Sequence, residues 1–336
     1  MNTTSKEKSA ILVPLFGRKE FTERLLSYYN SKKCTYTIYL SDGSLKQQFT
    51  QSYLNKSYKF LKIIYLRFPY DKDYILYSKK VYETLKKIRC KYVYVLTNDD
   101  FVNLDFIKKA EFFLENNNDY VFVGGKVYNY KIIQLFKRSN EFGFFLRSRL
   151  QYQGLYKNIS SDNIHERVRL YLSATTLECL IRKKTLLKIW KLAYQFKARN
   201  FIEQLWFFLL VPLIDGKKKI LNMLSLLRQK NTYFSEGQSL VFAKTDKNRY
   251  NLFVDFLVKK TFLKDYLAIK IIKKLYILVS MPKNSKNNNL FTYYIKIKKL
   301  ILFINELIFF IYFKLNSKNK YNSLYKNIDK FISNQS

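Results

Sequence analysis

Short apolar runs that each stop abruptly at polar turn residues recur through residues 9–130, and this spacing constrains the fold more than any other feature of the chain. Residues 11–16, 36–40, 61–66 and 92–97 have strand length and show little polar alternation, the pattern of strands covered on both faces. Between them, residues 19–29 place Phe21, Leu25, Leu26 and Tyr29 at helical spacing, and residues 73–89 do the same with Ile75, Leu76, Val81, Leu85 and Ile88. Residues 105–115 read as a further helix, and 120–123 as a strand closed by Gly124-Gly125. Regular alternation of strand and helix predicts the α/β class, with a mostly parallel central sheet and flanking helices. Ligands of such sheets bind beyond the carboxyl ends of the strands. Two acidic loops fall there, Ser41-Asp42-Gly43-Ser44 and Asn98-Asp99-Asp100.

Residues 130–169 show no clear period and read as irregular. Order returns with a strand at 175–181 and a helix at 186–196. Residues 201–213 are strongly apolar, interrupted by Glu203 and Gln204 near the start and ended by Pro212 and the Asp215-Gly216 turn. Past 246 the character changes: residues 247–336 hold 18 Lys or Arg against 4 acids, a net of +14. Residues 300–313 form the most apolar window, with Asn305 and Glu306 in its middle. A membrane span wants about 20 apolar residues, so this window suits an amphipathic helix lying on an anionic membrane surface; a helical cap on the α/β domain is the plain alternative for the region. The expected division is an α/β domain over 9–245 and a basic, aromatic-rich, mainly helical extension over 246–336.

The whole chain carries a net charge of +36 over 336 residues, which needs, or at least tolerates, an anionic partner. Phosphate-bearing substrates and a membrane face both qualify. Lysine is spread along the entire length, which argues against nucleic acid as the main ligand. Cys34, Cys90 and Cys179 form no CxxC pair and fit a reducing compartment. His165 is the only histidine, so a histidine-rich metal site and a two-histidine acid/base pair are excluded. The polar N-terminus and the brevity of the 11–16 run give no signal peptide, and the expected location is cytoplasmic, peripheral on the inner face of the membrane.

Asp42, in a tight turn with small hydroxyl neighbours, can accept hydrogen bonds from a base edge or from sugar hydroxyls; an ordinary Asp-Gly turn is the plain alternative. Asp99 and Asp100 are adjacent carboxylates whose repulsion is relieved by a cation, and such oxygen donors suit Mg²⁺ or Mn²⁺ completed by substrate phosphates. A charge cluster ahead of a helix N-terminus would read the same way.

Taken in order, Ile11-Leu12-Val13-Pro14, Arg18, Ser41-Asp42-Gly43-Ser44 and the strand ending in Asn98-Asp99-Asp100 resemble the GT-A glycosyltransferases, near family 2, in particular bacterial enzymes of surface-polysaccharide clusters. The resemblance covers residues 9–130 and implies a Rossmann-like GT-A fold. It implies that Pro14 and Arg18 line the nucleotide pocket, that Asp42 binds the nucleoside base, and that Asp99 binds the ribose or sugar. Asp100 would hold the metal that bridges the diphosphate. Two positions depart from the pattern, Asn98 in place of a first Asp and Gly17 in place of Asn. Inverting relatives carry a carboxylate base, often in a Glu-Asp pair, and Phe201-Ile202-Glu203-Gln204 is the nearest match, making Glu203 the expected base. Asp162 and Asp215 stand next in line. Thr175, Thr176 and Glu178 resemble the acceptor side, and Arg228 could hold a phosphate. The expected partners are a nucleotide-sugar donor and a surface-polysaccharide or lipid-linked glycan acceptor. The alternatives are a nucleotidyltransferase of related fold, for which residues 15–19 are poor in Gly, or a basic nucleic-acid or membrane-binding protein without catalysis.

Overall fold

The structure is a computed structural model that describes residues 7–131, 157–170, 178–230 and 247–274. Its centre is an eight-stranded sheet in the order β3-β2-β1-β4-β7-β6-β8-β5. Strands β1 (Ser9–Leu15), β2 (Thr37–Asp42), β3 (Ile63–Arg67) and β4 (Tyr92–Val95) run parallel. Next comes β7 (Cys179–Arg182), antiparallel to β4 and to β6 (Tyr120–Lys131). Strand β8 (Lys217–Lys230) runs parallel to β6, and the short β5 (Phe101–Val102) closes the edge antiparallel to β8.

Helices cover both faces, and the strands alternate between two cores accordingly. Ala10 and Leu12 of β1 belong to one core, Ile11, Val13 and Leu15 to the other. The first core lies under α3 (Tyr74–Lys87), α6 (Lys183–Gln195) and α7 (Phe201–Asp215). The second lies under α1 (Lys19–Ser31), α2 (Gln51–Ser57) and α4 (Leu104–Asn116). This two-sided burial is why the strands read as continuous apolar runs. Helix α7 is apolar around almost its whole circumference because it is buried from Trp206 to Leu213.

Three expectations change. Gly124-Gly125 does not end β6, which runs through to Lys131. A Cβ on Gly125 would lie 2.8 Å from the Met223 carbonyl oxygen and from Ser225, so glycine permits β8 to approach rather than stopping the strand. Pro212 sits inside α7, which continues to Asp215 before Gly216. Within 130–169, residues 164–169 form α5 (Ile164–Arg169).

Residues past 246 begin with α8 (Lys247–Thr261) and α9 (Tyr266–Lys274), and both enter the first core. Tyr250 and Phe253 meet Trp206 at ring-centroid distances of 4.9 and 5.0 Å, and His165 of α5 lies 3.2 Å from Asp265 at the start of α9. The 300–313 window lies outside the described residues. Among the described residues, no helix is long and apolar enough to cross a membrane.

Candidate active site

The parallel register sets the carboxyl ends of β1, β2 and β4 along one edge, with Leu15 opposite Asp42 and Leu12 opposite Val95. Beyond β1 the chain turns through Gly17 (φ 71°) and Arg18 (φ 59°). A left-handed arginine is uncommon and is held here by its surroundings. The Gly17 N–H donates to the Ser44 hydroxyl at 2.8 Å. The Arg18 guanidinium donates to Asp99 at 3.0 Å and to the Asn98 side-chain oxygen at 2.7 Å. Asn98 donates back to the Arg18 carbonyl and to Thr22. An amide makes both contacts where a carboxylate could only accept, which gives the Asn98 departure a structural reason.

Asp100 is buried. It accepts from the Thr97 hydroxyl at 2.7 Å and the Gln229 N–H at 2.9 Å. Burial, then the neighbouring Asp99 charge, push its carboxyl up to about 7, against the pull of Arg228. Arg228 of β8 lies 4.0 Å from Asp100 and pairs directly with Glu178. Arg24 of α1 donates to the Asp99 carbonyl and to the Gln229 side chain. One cluster therefore holds Arg18, Arg24, Asn98, Asp99, Asp100, Glu178 and Arg228. Of the expected residues it unites Arg18, Asp99 and Asp100; Pro14 lies in β1 opposite Ser41.

Asp42 is fully buried below the β2 turn. It accepts from the N–H groups of Ser44 (2.9 Å) and Gln48 (3.2 Å) and from the Tyr65 hydroxyl, and pairs with Arg67 at 3.4 Å. These contacts shape the turn and occupy both carboxylate oxygens. Beside it lies a buried pair absent from the sequence reading, Asp71 and Lys80. Lys80 also donates to the Leu15 carbonyl at 2.9 Å, and the Asp71 N–H to the Gly43 carbonyl at 2.9 Å. Burial raises the Asp71 carboxyl to about 6 and lowers the Lys80 ammonium, outweighing in both cases their mutual attraction. A Cβ on Gly43 would lie 2.3–2.5 Å from the Asp71 carboxylate, so any larger residue would have to displace that buried group. The available signal was Lys80 itself, a charge on the face of α3 that also buries Val81, Thr84 and Leu85.

Glu203 has its own set of partners. It is the third residue of α7, capped by Asn200, whose side chain accepts from the Glu203 N–H at 3.0 Å. Its carboxylate reaches back past the N-cap to the Arg199 N–H at 2.9 Å, a variant of the capping box. The Arg199 guanidinium bonds it at 2.6 and 2.9 Å, and Arg249 of α8 contacts both oxygens at 3.3–3.4 Å. Glu203 is 0% exposed. To reach this carboxylate as a base, an incoming hydroxyl would have to displace two arginines. Asp215 bonds Thr185 and Lys188, and Asp162 pairs with Lys217 at the start of β8; both belong to the edge opposite the cluster.

Four parallel strands in the order 3-2-1-4 and an antiparallel fifth neighbour make a Rossmann-like α/β fold of the GT-A type. Two crystal structures share it. The structure of S. aureus TarS 1-349, and the same protein in complex with UDP-GlcNAc, each superpose with a TM-score of 0.52 at 13% identity, covering 89% of this chain and 79% of theirs. The sequence matches no protein-family model and no curated protein.

Proposed function

We propose that this chain is a glycosyltransferase that draws a sugar from a nucleotide-diphosphate donor held at the carboxyl ends of β1, β2 and β4. The observation that carries the reading is the cluster itself: Arg18 on Asn98 and Asp99, and Arg228 between Asp100 and Glu178, at the ligand-binding edge of this fold. Guanidinium groups pair with phosphate oxygens through two parallel hydrogen bonds, and Arg18, Arg24 and Arg228 are grouped where a diphosphate would need them. The similar structure was solved with UDP-GlcNAc, which makes UDP-sugars the first donors to test.

A divalent cation fits the donor chemistry. Asp99, Asp100 and Thr97 offer hard oxygens of the kind Mg²⁺ or Mn²⁺ takes; the Asp100 carboxyl is raised first by burial and second by the neighbouring Asp99 charge. Among the described residues no group of three acidic, His or Cys side chains is placed to hold a metal ion, so the protein would supply part of the coordination and the diphosphate the rest. Asp100 is the residue assigned to hold the ion, whose chemistry when bound is to offset charge on the leaving phosphate.

The reaction assigned is inverting: an acceptor hydroxyl attacks the anomeric carbon, its proton passes to a carboxylate, and the nucleoside diphosphate departs. Glu178 is assigned the base role because it belongs to the strand-end cluster, where it pairs with the same Arg228 that faces Asp100, whereas Glu203 pairs with Arg199 and Arg249. The acceptor is a surface-polysaccharide or lipid-linked glycan, and the enzyme works peripherally on the inner face of the cytoplasmic membrane. Supporting that placement, Phe262 just after α8 and Tyr266 at the start of α9 are 83% and 73% exposed, close in sequence to Lys259, Lys260 and Lys264, an aromatic and basic combination suited to an anionic interface.

Calorimetric titration with UDP, followed by a hydrolysis screen over nucleotide sugars with and without Mn²⁺, tests the reading. Micromolar UDP binding and turnover of at least one donor are expected. Absence of binding to any nucleoside diphosphate would refute it.

A further inference from the structure

A second basic feature lies on the far edge of the sheet, where β4 begins and β7 ends, with Tyr92 opposite Arg182. A cleft of about 800 Å³ opens there between the end of α3, the start of α6 and the end of α7. It is lined by six cations, Lys86, Arg182, Lys183, Lys184, Lys188 and Lys191, against one carboxylate, Asp215.

These cations do not all serve the fold. Arg182 is spent on the carbonyls of Leu114, Asn117 and Tyr120, and Lys183 on that of Ile88. Lys188 and Thr185 neutralise Asp215, and Lys86 pairs with Glu83. Lys184 and Lys191 are exposed and have no acidic partner among the described residues. With Lys188 they occupy positions i, i+4 and i+7 of α6, one face of the helix, in a row spanning about 10 Å. Lys184 and Lys191 thus flank the Asp215-paired Lys188 as unpartnered like charges, a small mutual repulsion that a spanning anion would relieve.

We propose that this cleft is an anion site, separate from the strand-end cluster, that binds ligands bearing more than one phosphate group across Lys184, Lys188 and Lys191. Phosphate chemistry is favoured over a lone carboxylate because the cations form a row, which matches several charges in sequence. A soluble phosphate ester and the headgroups of an anionic lipid surface share that chemistry. The proposal is independent of the function assigned to the strand-end cluster.

The experiment measures binding of sodium tripolyphosphate by calorimetry and of phosphatidylglycerol vesicles by co-sedimentation. Three proteins are compared: the full chain, the Lys184→Glu/Lys191→Glu variant, and a charge-matched Lys56→Glu/Lys59→Glu control on α2 and the loop after it. Both substituted pairs are exposed, and near-UV circular dichroism verifies that the fold is kept. At least tenfold weaker binding in the α6 variant, with less than threefold change in the control, is expected in one arm or both. The arm that responds identifies the source of the phosphate as soluble or lipid. Equal weakening in both variants would reduce the cleft to diffuse surface charge, and no weakening in either arm would equally overturn the site. Arg18→Ala serves as a third comparison: loss of all tripolyphosphate binding in that variant alone would place the only phosphate site at the strand ends and refute the proposal.

Discussion

Glu203→Gln separates a chemical role from a structural one. In the structure the Glu203 carboxylate, fully buried, bonds the Arg199 guanidinium and N–H and touches Arg249, which in turn donates to the carbonyls of Phe196 and Lys197. Removing one partner of a buried ion pair costs about 3–5 kcal/mol. Glutamine keeps the shape and one acceptor oxygen, and the Arg199 side chain is 50% exposed, so water screens part of the loss. The expected destabilisation is therefore about 2–3 kcal/mol, the scale of one or two charge-assisted hydrogen bonds. Urea unfolding measures it, and transfer is assayed well below the transition, where the variant is still folded. The expected outcome is a lower unfolding midpoint with kcat within about threefold of wild type. A general base removed in the same way would instead cost about a hundredfold or more in kcat. A variant of wild-type stability and hundredfold lower kcat would refute the clamp and restore Glu203 to the catalytic centre.

Asp100→Ala should abolish transfer without unfolding the domain, because it removes the proposed cation ligand; full activity in the variant, or in wild type with excess EDTA, would count against the assignment. Glu178→Gln should lower kcat by about a hundredfold with donor affinity kept, as expected for loss of a proton acceptor; an unchanged kcat removes it from that role. Gly43→Ala should weaken donor binding and lower stability together, since the new methyl meets Asp71 at 2.3–2.5 Å; wild-type unfolding and donor KM would show that the turn gives way freely. For Asp71 the folded-state carboxyl titrates near 6, above its ordinary value of about 3.9. The native state therefore binds the proton more tightly, and this group stabilises the fold as pH falls from 6 towards 4. Wild type minus Asp71→Asn unfolding free energy should rise across that window, and a flat or falling difference would contradict the shift.

The strand-end loops were legible because the signal was local. An apolar run followed at once by Asp-Gly or Asn-Asp-Asp fixes both the strand and the edge where its loop emerges, so Arg18, Asp99 and Asp100 could be placed on one side of a sheet before any contact was known. What stayed hidden depends on pairing between distant residues. Glu178 and Arg228 lie 50 positions apart and meet only because β7 and β8 flank the same strand, β6. Strand β8 opens on Lys217-Lys218-Lys219, which reads as a solvated turn, yet Lys218 is buried.

Glu203 shows the same limit from the other side. Its capping box, Asn200 with Glu203 three residues on, is a local pattern and predicts a helix start by itself. Arg249, the partner that closes the clamp, lies beyond the change in composition at 246. That change follows lysine content, whereas packing follows the apolar stripe of Tyr250, Phe253, Val254 and Leu257, which is spaced as one helical face and buried against Trp206 and Phe207. Charge density describes the outside of a segment and says little about which core its other face joins. Here the first two helices past 246 complete the core that α7 begins, and the buried carboxylate at the start of α7 is held from both sides of the compositional boundary.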